Sequence, residues 1–543
     1  MPLTLRPLDA SEGAEDAPSR APQSYLRYLL RITVAVYVGL HGRCAVLPLW
    51  PKESVVKRSR LTVVPLLAVA LGTSLGETSN AQPMDRCQFT AWLAGGISNH
   101  RLARLVTERG VMFSISAGTE KQLRAAGADS ALLKTLQSAH PLMPATVAST
   151  CAPELPEAAE LAHQKRYGAA QSKLSALLRS DPENPSLHFA IGEILRQQEY
   201  WDEALDEFTQ SARLMPGFPE THARLAYVLY RTGDSEGAIA EARTALSMDP
   251  NNAEAYRYLG LGLYAAGKYG AALHAYQESL AREPESAEVY YDLGIVLRDR
   301  GDLHSAASAY LRALGLRPDF WEAHSNLALV LHDQGKLDDA IAEYRAAKRL
   351  SPDEPSIRNN LGSAYCDKGE YDAAIAEFRA LYRLDAGWTS GHECMARALM
   401  SKKQYAEAIP ELRLVVQHNP ASASGHCLLG QALLLAGKPE EALPELKAAV
   451  SLSPESSLAH HYLGTALLEL QSLADAEKEF RESLRLEPSA QNHFSLAACL
   501  MAANRNHEAL AELEIASRLD PAQTLYRARV EELLKLMGPP SRE

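Results

Sequence analysis

The sequence between residues 151 and 523 repeats with a period of 34 residues, and this repeat constrains the fold more than any other feature. One position is alanine in all eleven copies: Ala170, Ala204, Ala238, Ala272, Ala306, Ala340, Ala374, Ala408, Ala442, Ala476 and Ala509. A second position is always glycine or alanine, as at Gly192, Gly260 and Ala328. The chain is therefore built largely from one structural unit that is copied eleven times.

Each recurring residue has a mechanical role in a pair of helices. Small residues at the Gly260 and Ala272 positions let two helices approach closely, which favours an antiparallel pair. Gly267 lies where the turn between the helices needs a left-handed backbone, and the recurring proline ends the second helix. One pair cannot bury its apolar face alone, whereas stacked pairs share a continuous core. The sequence therefore predicts an all-α fold of stacked antiparallel helix pairs.

The repeated positions resemble those of the tetratricopeptide repeat family. In the copy at residues 253–286 they are Leu259, Gly260, Gly267, Tyr269, Ala272, Tyr276 and Pro284. The resemblance spans residues 151–523, which is 373 of the 543 residues. It implies a right-handed α-solenoid superhelix of antiparallel helix pairs. In this family the first helix of each pair lines a concave face that commonly binds a peptide or a partner protein.

The family places the second, fifth, ninth and twelfth residues of each repeat on that concave face. In repeats 2 to 5 these positions are rich in aromatic and guanidinium groups, which lose little entropy on binding and pair with carboxylates. The resemblance therefore implies eight partner-binding residues: Phe189, Arg196, Tyr227, Tyr230, Arg257, Tyr264, Tyr291 and Arg298. The alternative is that a tyrosine at the twelfth position packs between neighbouring helices.

Residues 57–81 have the anatomy of a secretory signal peptide. Basic residues at 57–60 precede an apolar stretch of 16 residues, and Ser79 and Ala81 supply small residues for cleavage before Gln82. The apolar stretch is shorter than the roughly 20 residues that a membrane-spanning helix needs. We therefore predict cleavage and a periplasmic or secreted protein, with an uncleaved inner-membrane anchor as the alternative.

Residues 1–56 precede this segment, although a signal peptide belongs at the N-terminus of a chain. They include a second, weaker apolar stretch at residues 25–40. We interpret residues 1–56 either as sequence upstream of the true translation start or as a membrane-associated or disordered leader. A further alternative is that both apolar stretches are buried in a cytoplasmic domain.

Residues 85–150 are predicted to form a small helical module before the repeats. Ser98 is a suitable N-cap and Gly110 a suitable helix end. Basic residues in the module alternate with apolar ones, which favours a structural adaptor over a helix-turn-helix reader of DNA. Cys87 and Cys151 bracket the module and would close it with one disulfide in an oxidising compartment, two unrelated thiols being the alternative. After the repeats, residues 524–543 are predicted to form a C-terminal capping helix and tail.

Composition and motifs argue against several functions. The formal net charge of −12 argues against a nucleic-acid partner, since phosphate binding needs a basic surface. The sequence contains no GxxxxGKS/T, HExxH or GxSxG motif, so we predict a non-catalytic protein without a cofactor. Six histidines recur at one repeat position, but no column of carboxylates or thiols completes a metal shell, so we predict that they pack: His188, His222, His324, His392, His426 and His460.

These observations predict an interaction scaffold that binds a protein or peptide partner on the concave face of its repeats. One alternative is an assembly component of a cell-envelope machine for polysaccharide synthesis or export. Another is the regulatory subunit of an enzyme on a different chain. Membrane attachment, if present, would come from the apolar N-terminal segment.

Overall fold

A computed structural model describes residues 83–139 and 151–537. These residues form 27 helices and no strand, the single β-bridge between Met84 and Val111 being isolated. The leader 1–56, the signal segment 57–81 and the tail beyond residue 537 lie outside the described residues. In the part that is described, no helix is both long enough and apolar enough to cross a lipid bilayer. The prediction of an all-α solenoid is confirmed.

The chain divides into two compact units, with the division between Val330 and Leu331. The first unit begins, among the described residues, with four short helices of the N-terminal module. These are α1 (Arg86–Ala94), α2 (Asn99–Arg109), α3 (Ala117–Ala125) and α4 (Ser130–Ser138). Ser98 caps α2 by accepting a hydrogen bond from the Arg101 N–H, and Gly110 ends α2 with a φ of 75°.

The first unit continues with helix pairs, one pair for each repeat. They are α5 (Glu154–His163), α6 (Tyr167–Ser180), α7 (Pro185–Gln197), α8 (Trp201–Leu214), α9 (Pro219–Arg231), α10 (Ser235–Met248), α11 (Ala253–Ala265), α12 (Tyr269–Arg282), α13 (Ala287–Asp299) and α14 (Leu303–Leu316). The division between the units falls inside α15 (Trp321–Asp333).

The second unit repeats the same arrangement and ends on an additional helix. Its helices are α16 (Leu337–Leu350), α17 (Pro355–Lys368), α18 (Tyr371–Leu384), α19 (His392–Ser401), α20 (Tyr405–His418), α21 (Ala423–Leu435), α22 (Pro439–Leu452), α23 (Ser457–Glu469), α24 (Leu473–Leu486), α25 (Ala490–Ala502), α26 (Asn506–Leu519) and α27 (Thr524–Met537). The last of these packs on α26.

The glycines in the Gly/Ala column let the two helices of a repeat pack closely. A Cβ placed on Gly260 would lie 2.4 Å from the Tyr276 ring, and one on Gly294 would lie 2.6 Å from the Tyr310 ring. Tyr276 has no exposed surface. Absence of a side chain on the first helix therefore makes room for a large aromatic side chain on the second.

The turn between the two helices adopts a left-handed backbone in all eleven repeats. Six of these turns use glycine, with φ between 72° and 88°, as predicted for Gly267. The other five place a residue with a side chain in the same conformation: Lys165, Glu199, Lys403, Gln471 and Asn504. These five carry a conformational cost that glycine avoids.

The N-terminal module and the first repeats share one hydrophobic core. This core runs without a break from Met84 in the module to Val228 in α9. The module is therefore packed onto the repeats as part of the same folded unit. Its position decides which part of the repeat surface stays open.

Candidate functional site

The module covers the surface made by the first helices of the early repeats, which we call the first-helix face. Trp92 of α1 stacks on Phe218 with ring centroids 4.3 Å apart. Gly95, at the end of α1, lies directly on Phe189: a Cβ placed on Gly95 would be 2.6 Å from the Phe189 ring. The Arg109 guanidinium sits 5.9 Å from the Trp92 and Phe218 ring centroids.

This packing shows that the prediction of Phe189 as a partner-binding residue is wrong. The Phe189 side chain has no exposed surface, and its ring makes edge contacts with Phe208 and Phe218 at 5.6 Å. The family resemblance assigns the fifth residue of a repeat to the binding face. In repeat 2 the module of the same chain already occupies that face, so Phe189 belongs to the core.

Ion pairs attach α2 of the module to repeat 3. Arg101 Nε lies 2.5 Å from Glu220 Oε1, and Arg101 Nη1 lies 2.9 Å from Asp249 Oδ2. Arg104 Nη2 contacts the other oxygen of Asp249 at 2.8 Å. The side chain of Glu220 is only 4% exposed. Two arginines that could have suggested a nucleic-acid reader are thus bound to carboxylates of the same chain, as expected for a structural adaptor.

A cavity of about 580 Å³ lies where α2 meets the N-terminal ends of α9, α11 and α13. Three of the eight predicted partner-binding residues line it, namely Arg196, Tyr227 and Arg257. The Arg196 guanidinium lies 5.3 Å from the centre of the Tyr227 ring. The structure therefore brings together part of the predicted set, with the module as one wall.

Four other predicted residues lie outside this cavity, and three of them have contacts within the repeats. Tyr264 donates a hydrogen bond to Asp299 Oδ2 at 2.5 Å, and Arg298 pairs with the same carboxylate at 2.8 Å. Tyr291 accepts a hydrogen bond from Asn326 Nδ2 at 3.0 Å. Desolvation and then the charge of Asp292 raise the pKa of Tyr230 to about 12. Tyr264, at a twelfth position, therefore packs between neighbouring helices, which is the alternative that the sequence left open.

A chain of buried and partly exposed charges links the first helices of repeats 2 to 5. Arg224 lies between Glu193, at 3.1 Å, and Glu254, with which it also forms an ion pair. Arg257 Nε lies 2.6 Å from Asp292 Oδ2. Burial acts to raise the pKa of the Glu193 carboxyl, but the charges of Arg196 and Arg224 outweigh it and hold the pKa below its usual range.

Of these groups, the sequence pattern indicated only Arg196 and Arg257. Their carboxylate partners and Arg224 were not predicted. The repeat spacing was the available signal: Arg224 and Tyr258 are 34 residues apart, which is one repeat, and a 3.1 Å hydrogen bond joins them. A search for opposite charges about one repeat apart would have found Arg257 and Asp292, which are separated by 35 residues. Such spacing places two residues side by side on adjacent first helices.

The recurring histidines contact the second helix of their own repeat. In His222, Nδ1 lies 2.6 Å from Glu241 Oε2 and Nε2 lies 3.1 Å from the Pro216 carbonyl oxygen. The same pair of contacts occurs at His188, His426 and His460. Within the described ranges, no group of three or more His, Cys, Asp and Glu side chains could hold a metal ion. These histidines thus pack through hydrogen bonds to a carboxylate and a backbone carbonyl.

Cys87 and Cys151 form a disulfide in the structure, with Cα atoms 5.2 Å apart. The bond joins α1 of the module to the chain just before α5. It closes a segment with a sequence separation of 64 residues. The module is therefore tied to the first repeat covalently as well as by packing.

Comparison with known proteins agrees with the repeat pattern. A tetratricopeptide repeat model matches residues 156–217, 224–287, 259–314, 291–355, 349–388 and 395–457. A second tetratricopeptide repeat model matches residues 433–493. The chain belongs to the tetratricopeptide repeat family. Repeats of this family are typical of protein-interaction scaffolds.

Solved structures of other tetratricopeptide repeat proteins and of bacterial proteins are similar to parts of this chain. MamA of Desulfovibrio magneticus RS-1 is 24% identical over 31% of this chain and 95% of its own, with a TM-score of 0.30. PilF of Pseudomonas aeruginosa is 20% identical over 42% of this chain and 98% of its own, with a TM-score of 0.35. A thermophilic tetratricopeptide repeat protein of Thermus thermophilus is 23% identical over 34% of this chain and 100% of its own, with a TM-score of 0.29. A search of curated protein sequences finds no match.

Proposed function

We propose that this chain is a non-catalytic scaffold that binds a segment of a partner protein on its first-helix face. The cavity beside α2 is its anchoring point. The observation that carries the proposal is this cavity of about 580 Å³, which gathers Arg196, Tyr227 and Arg257 from three successive repeats. Aromatic and guanidinium side chains in a concave site are typical of residues that dominate protein recognition.

The proposed site is held in place before any partner binds. Tyr227 contacts Tyr258 with ring centroids 5.0 Å apart, and Arg257 is fixed by its ion pair with Asp292. Side chains that are already ordered lose less entropy on binding. The module forms one wall, so a partner segment would contact both α2 and the repeats.

Photocross-linking from the mouth of the cavity tests this proposal. His100 lines the cavity and is exposed, so a benzoylphenylalanine at this position would face a bound segment. The matched control is the exposed His274 on α12, which does not line the cavity. We expect one partner segment to cross-link from position 100 in the producing cells and to bind the purified chain as a synthetic peptide. Equal cross-linking from position 274, or no binding of the peptide, would contradict the proposal.

We also propose that the protein is periplasmic or secreted. The signal-like segment at residues 57–81 supports this location, and so does the disulfide between Cys87 and Cys151, because disulfides persist mainly in oxidising compartments. Mass spectrometry of the protein from its own cells, without reduction, tests both points. We expect an N-terminus at Gln82 and a linked Cys87–Cys151 peptide; an intact residue 57–81 segment with free thiols would refute the location. The envelope-assembly and regulatory-subunit alternatives stay predictions from the sequence.

A further inference from the structure

The cavity beside α2 looks basic by composition, because five arginines line it. Every one of these arginines already has a carboxylate partner. Arg101 and Arg104 pair with Asp249, and Arg196 pairs with Glu193 at 2.6 Å. The two others pair in the same way, Arg257 with Asp292 at 2.6 Å and Arg282 with Glu278 at 2.7 Å. The guanidinium charges are therefore neutralised within the chain.

The carboxylates that line the cavity are less completely paired. Glu254 pairs with Arg224, and Glu288 pairs with Arg317 at 2.7 Å. Within residues 83–139 and 151–537, the Glu283 side chain forms no hydrogen bond and no ion pair, and it is exposed at the cavity wall. Glu283 therefore offers a negative charge that no arginine of the described residues contacts in an ion pair.

A second carboxylate in the same wall has a spare acceptor. Glu220 is 4% exposed and bonds to Arg101 through Oε1. Its other oxygen, Oε2, is buried and has no hydrogen-bond partner among the described residues. A buried carboxylate oxygen without a donor is costly, so a ligand that brings an N–H group would be favoured there.

The electrostatics at Glu283 agree with this pattern. Desolvation, and then the negative charge of Glu254, raise the pKa of Glu283 above its usual range, against the opposing charges of His100, Arg101 and Arg104. In this cavity the Glu283 carboxylate is thus repelled by Glu254 and has no ion pair within the described residues. A cation that entered it would relieve the repulsion between the two carboxylates.

We infer that this cavity recognises a lysine or arginine side chain of the partner segment, with Glu283 as the principal contact and Glu220 as a second acceptor. This inference rests on the proposed scaffold function, because it names the chemistry of the segment that the cavity anchors. An ammonium or guanidinium group supplies only donors, which matches the unused carboxylate oxygens.

Fluorescence anisotropy with the full chain tests the charge preference directly. The probes are labelled, end-capped peptides of four Gly-Lys, four Gly-Gln or four Gly-Glu units. We expect the Gly-Lys peptide to bind most tightly. Glu283→Gln should weaken its binding about fivefold to tenfold, the effect of removing one partner from a partly desolvated charge pair. Glu283→Lys should shift the preference toward the Gly-Glu peptide.

Glu285→Gln is the matched control, because it removes the same charge from an exposed position two residues away that does not line the cavity. A chain with a net charge of −12 attracts any basic peptide, and this control separates that general attraction from recognition by Glu283. Equal effects of Glu283→Gln and Glu285→Gln, or tighter binding of the Gly-Glu peptide by the wild type, would overturn the inference. An acidic or neutral segment cross-linked from position 100 would overturn it too, while leaving the scaffold proposal intact.

Discussion

Trp92 of the N-terminal module stacks on Phe218 at the end of repeat 2, with 4.3 Å between ring centroids and 11° between ring planes. Neither side chain has any exposed surface. The two residues are far apart in the sequence, and their contact fixes the module on the first-helix face. This single contact therefore helps to decide which part of the first-helix face is covered.

Replacing Trp92 with alanine should destabilise the first unit strongly. Truncating a buried tryptophan costs about 3–5 kcal/mol, because apolar contacts are lost and a cavity remains. Urea unfolding, monitored by the far-UV circular dichroism of the helices, measures the loss of stability. Hydrogen exchange should become faster in residues 185–231 as the module loosens. Tyr200→Ala is the control, since Tyr200 is 52% exposed and should change stability by no more than about 0.5 kcal/mol. Similar small effects of the two substitutions would show that the stack does not hold the module.

Two glycines in repeat 4 should respond in opposite directions to alanine. Gly267 has a φ of 72°, whereas Gly270 is helical, and neither has a neighbouring atom within 4 Å of an added Cβ. Gly267→Ala should lower the stability by about 1 kcal/mol because alanine avoids the left-handed region. Gly270→Ala should leave it unchanged or raise it. Thermal melting of both variants checks this, and equal melting temperatures would contradict it.

The same reasoning predicts a stabilising substitution in repeat 8. Lys403 has a φ of 62° at the turn where other repeats use glycine. Lys403→Gly should raise the free energy of unfolding by up to about 1 kcal/mol. Glycine removes the cost of a left-handed backbone, but its greater entropy in the unfolded chain offsets part of this gain. A lower melting temperature would show that the lysine side chain contributes more than its backbone strain costs.

The stability of repeat 3 should depend on pH through His222. Both ring nitrogens face acceptors, Glu241 and the Pro216 carbonyl, so the arrangement requires the doubly protonated ring. Burial acts to lower the pKa of His222, but these hydrogen bonds and the Glu241 charge raise it above its usual value.

Because the pKa of His222 is raised in the folded state, its hydrogen bonds contribute fully to stability below the unfolded pKa of about 6.5. This stabilisation is lost as pH rises through the folded pKa. Urea unfolding at several pH values should show wild-type stability falling over this range, and His222→Gln should reduce the slope. His274→Gln is the control, since the His274 side chain is 74% exposed. An unchanged slope in His222→Gln would indicate that the ring is neutral in the fold.

Replacing Arg257 alone should lower the free energy of unfolding more than replacing Arg257 together with its partner Asp292. Arg257→Met leaves Asp292, whose side chain is 7% exposed, without its cation, and breaking a buried pair in this way costs about 3–5 kcal/mol. Arg257→Met combined with Asp292→Leu should recover most of this loss. A double-mutant cycle by urea unfolding measures the coupling, and additive effects would show that the pair is not energetically linked.

The helix pairs were predictable from the sequence alone, because each pair depends on residues within one 34-residue copy. Gly260 and Tyr276 lie 16 positions apart, and their contact follows from the repeat pattern; so does the left-handed turn at Gly267. Helical periodicity and a tight turn are local properties, and local properties are visible in a sequence.

Which part of the first-helix face is covered follows from the tertiary structure alone. Phe189 occupies a position that the family assigns to partner binding, yet it is buried under Gly95 of the module. Arg257 was predicted as a binding residue without the Asp292 that holds it. The covering of Phe189 depends on contacts between segments that are distant in the chain, and no repeat period records those contacts. The sequence therefore predicted a set of candidate side chains, and packing of the module against the repeats selected those that line the cavity.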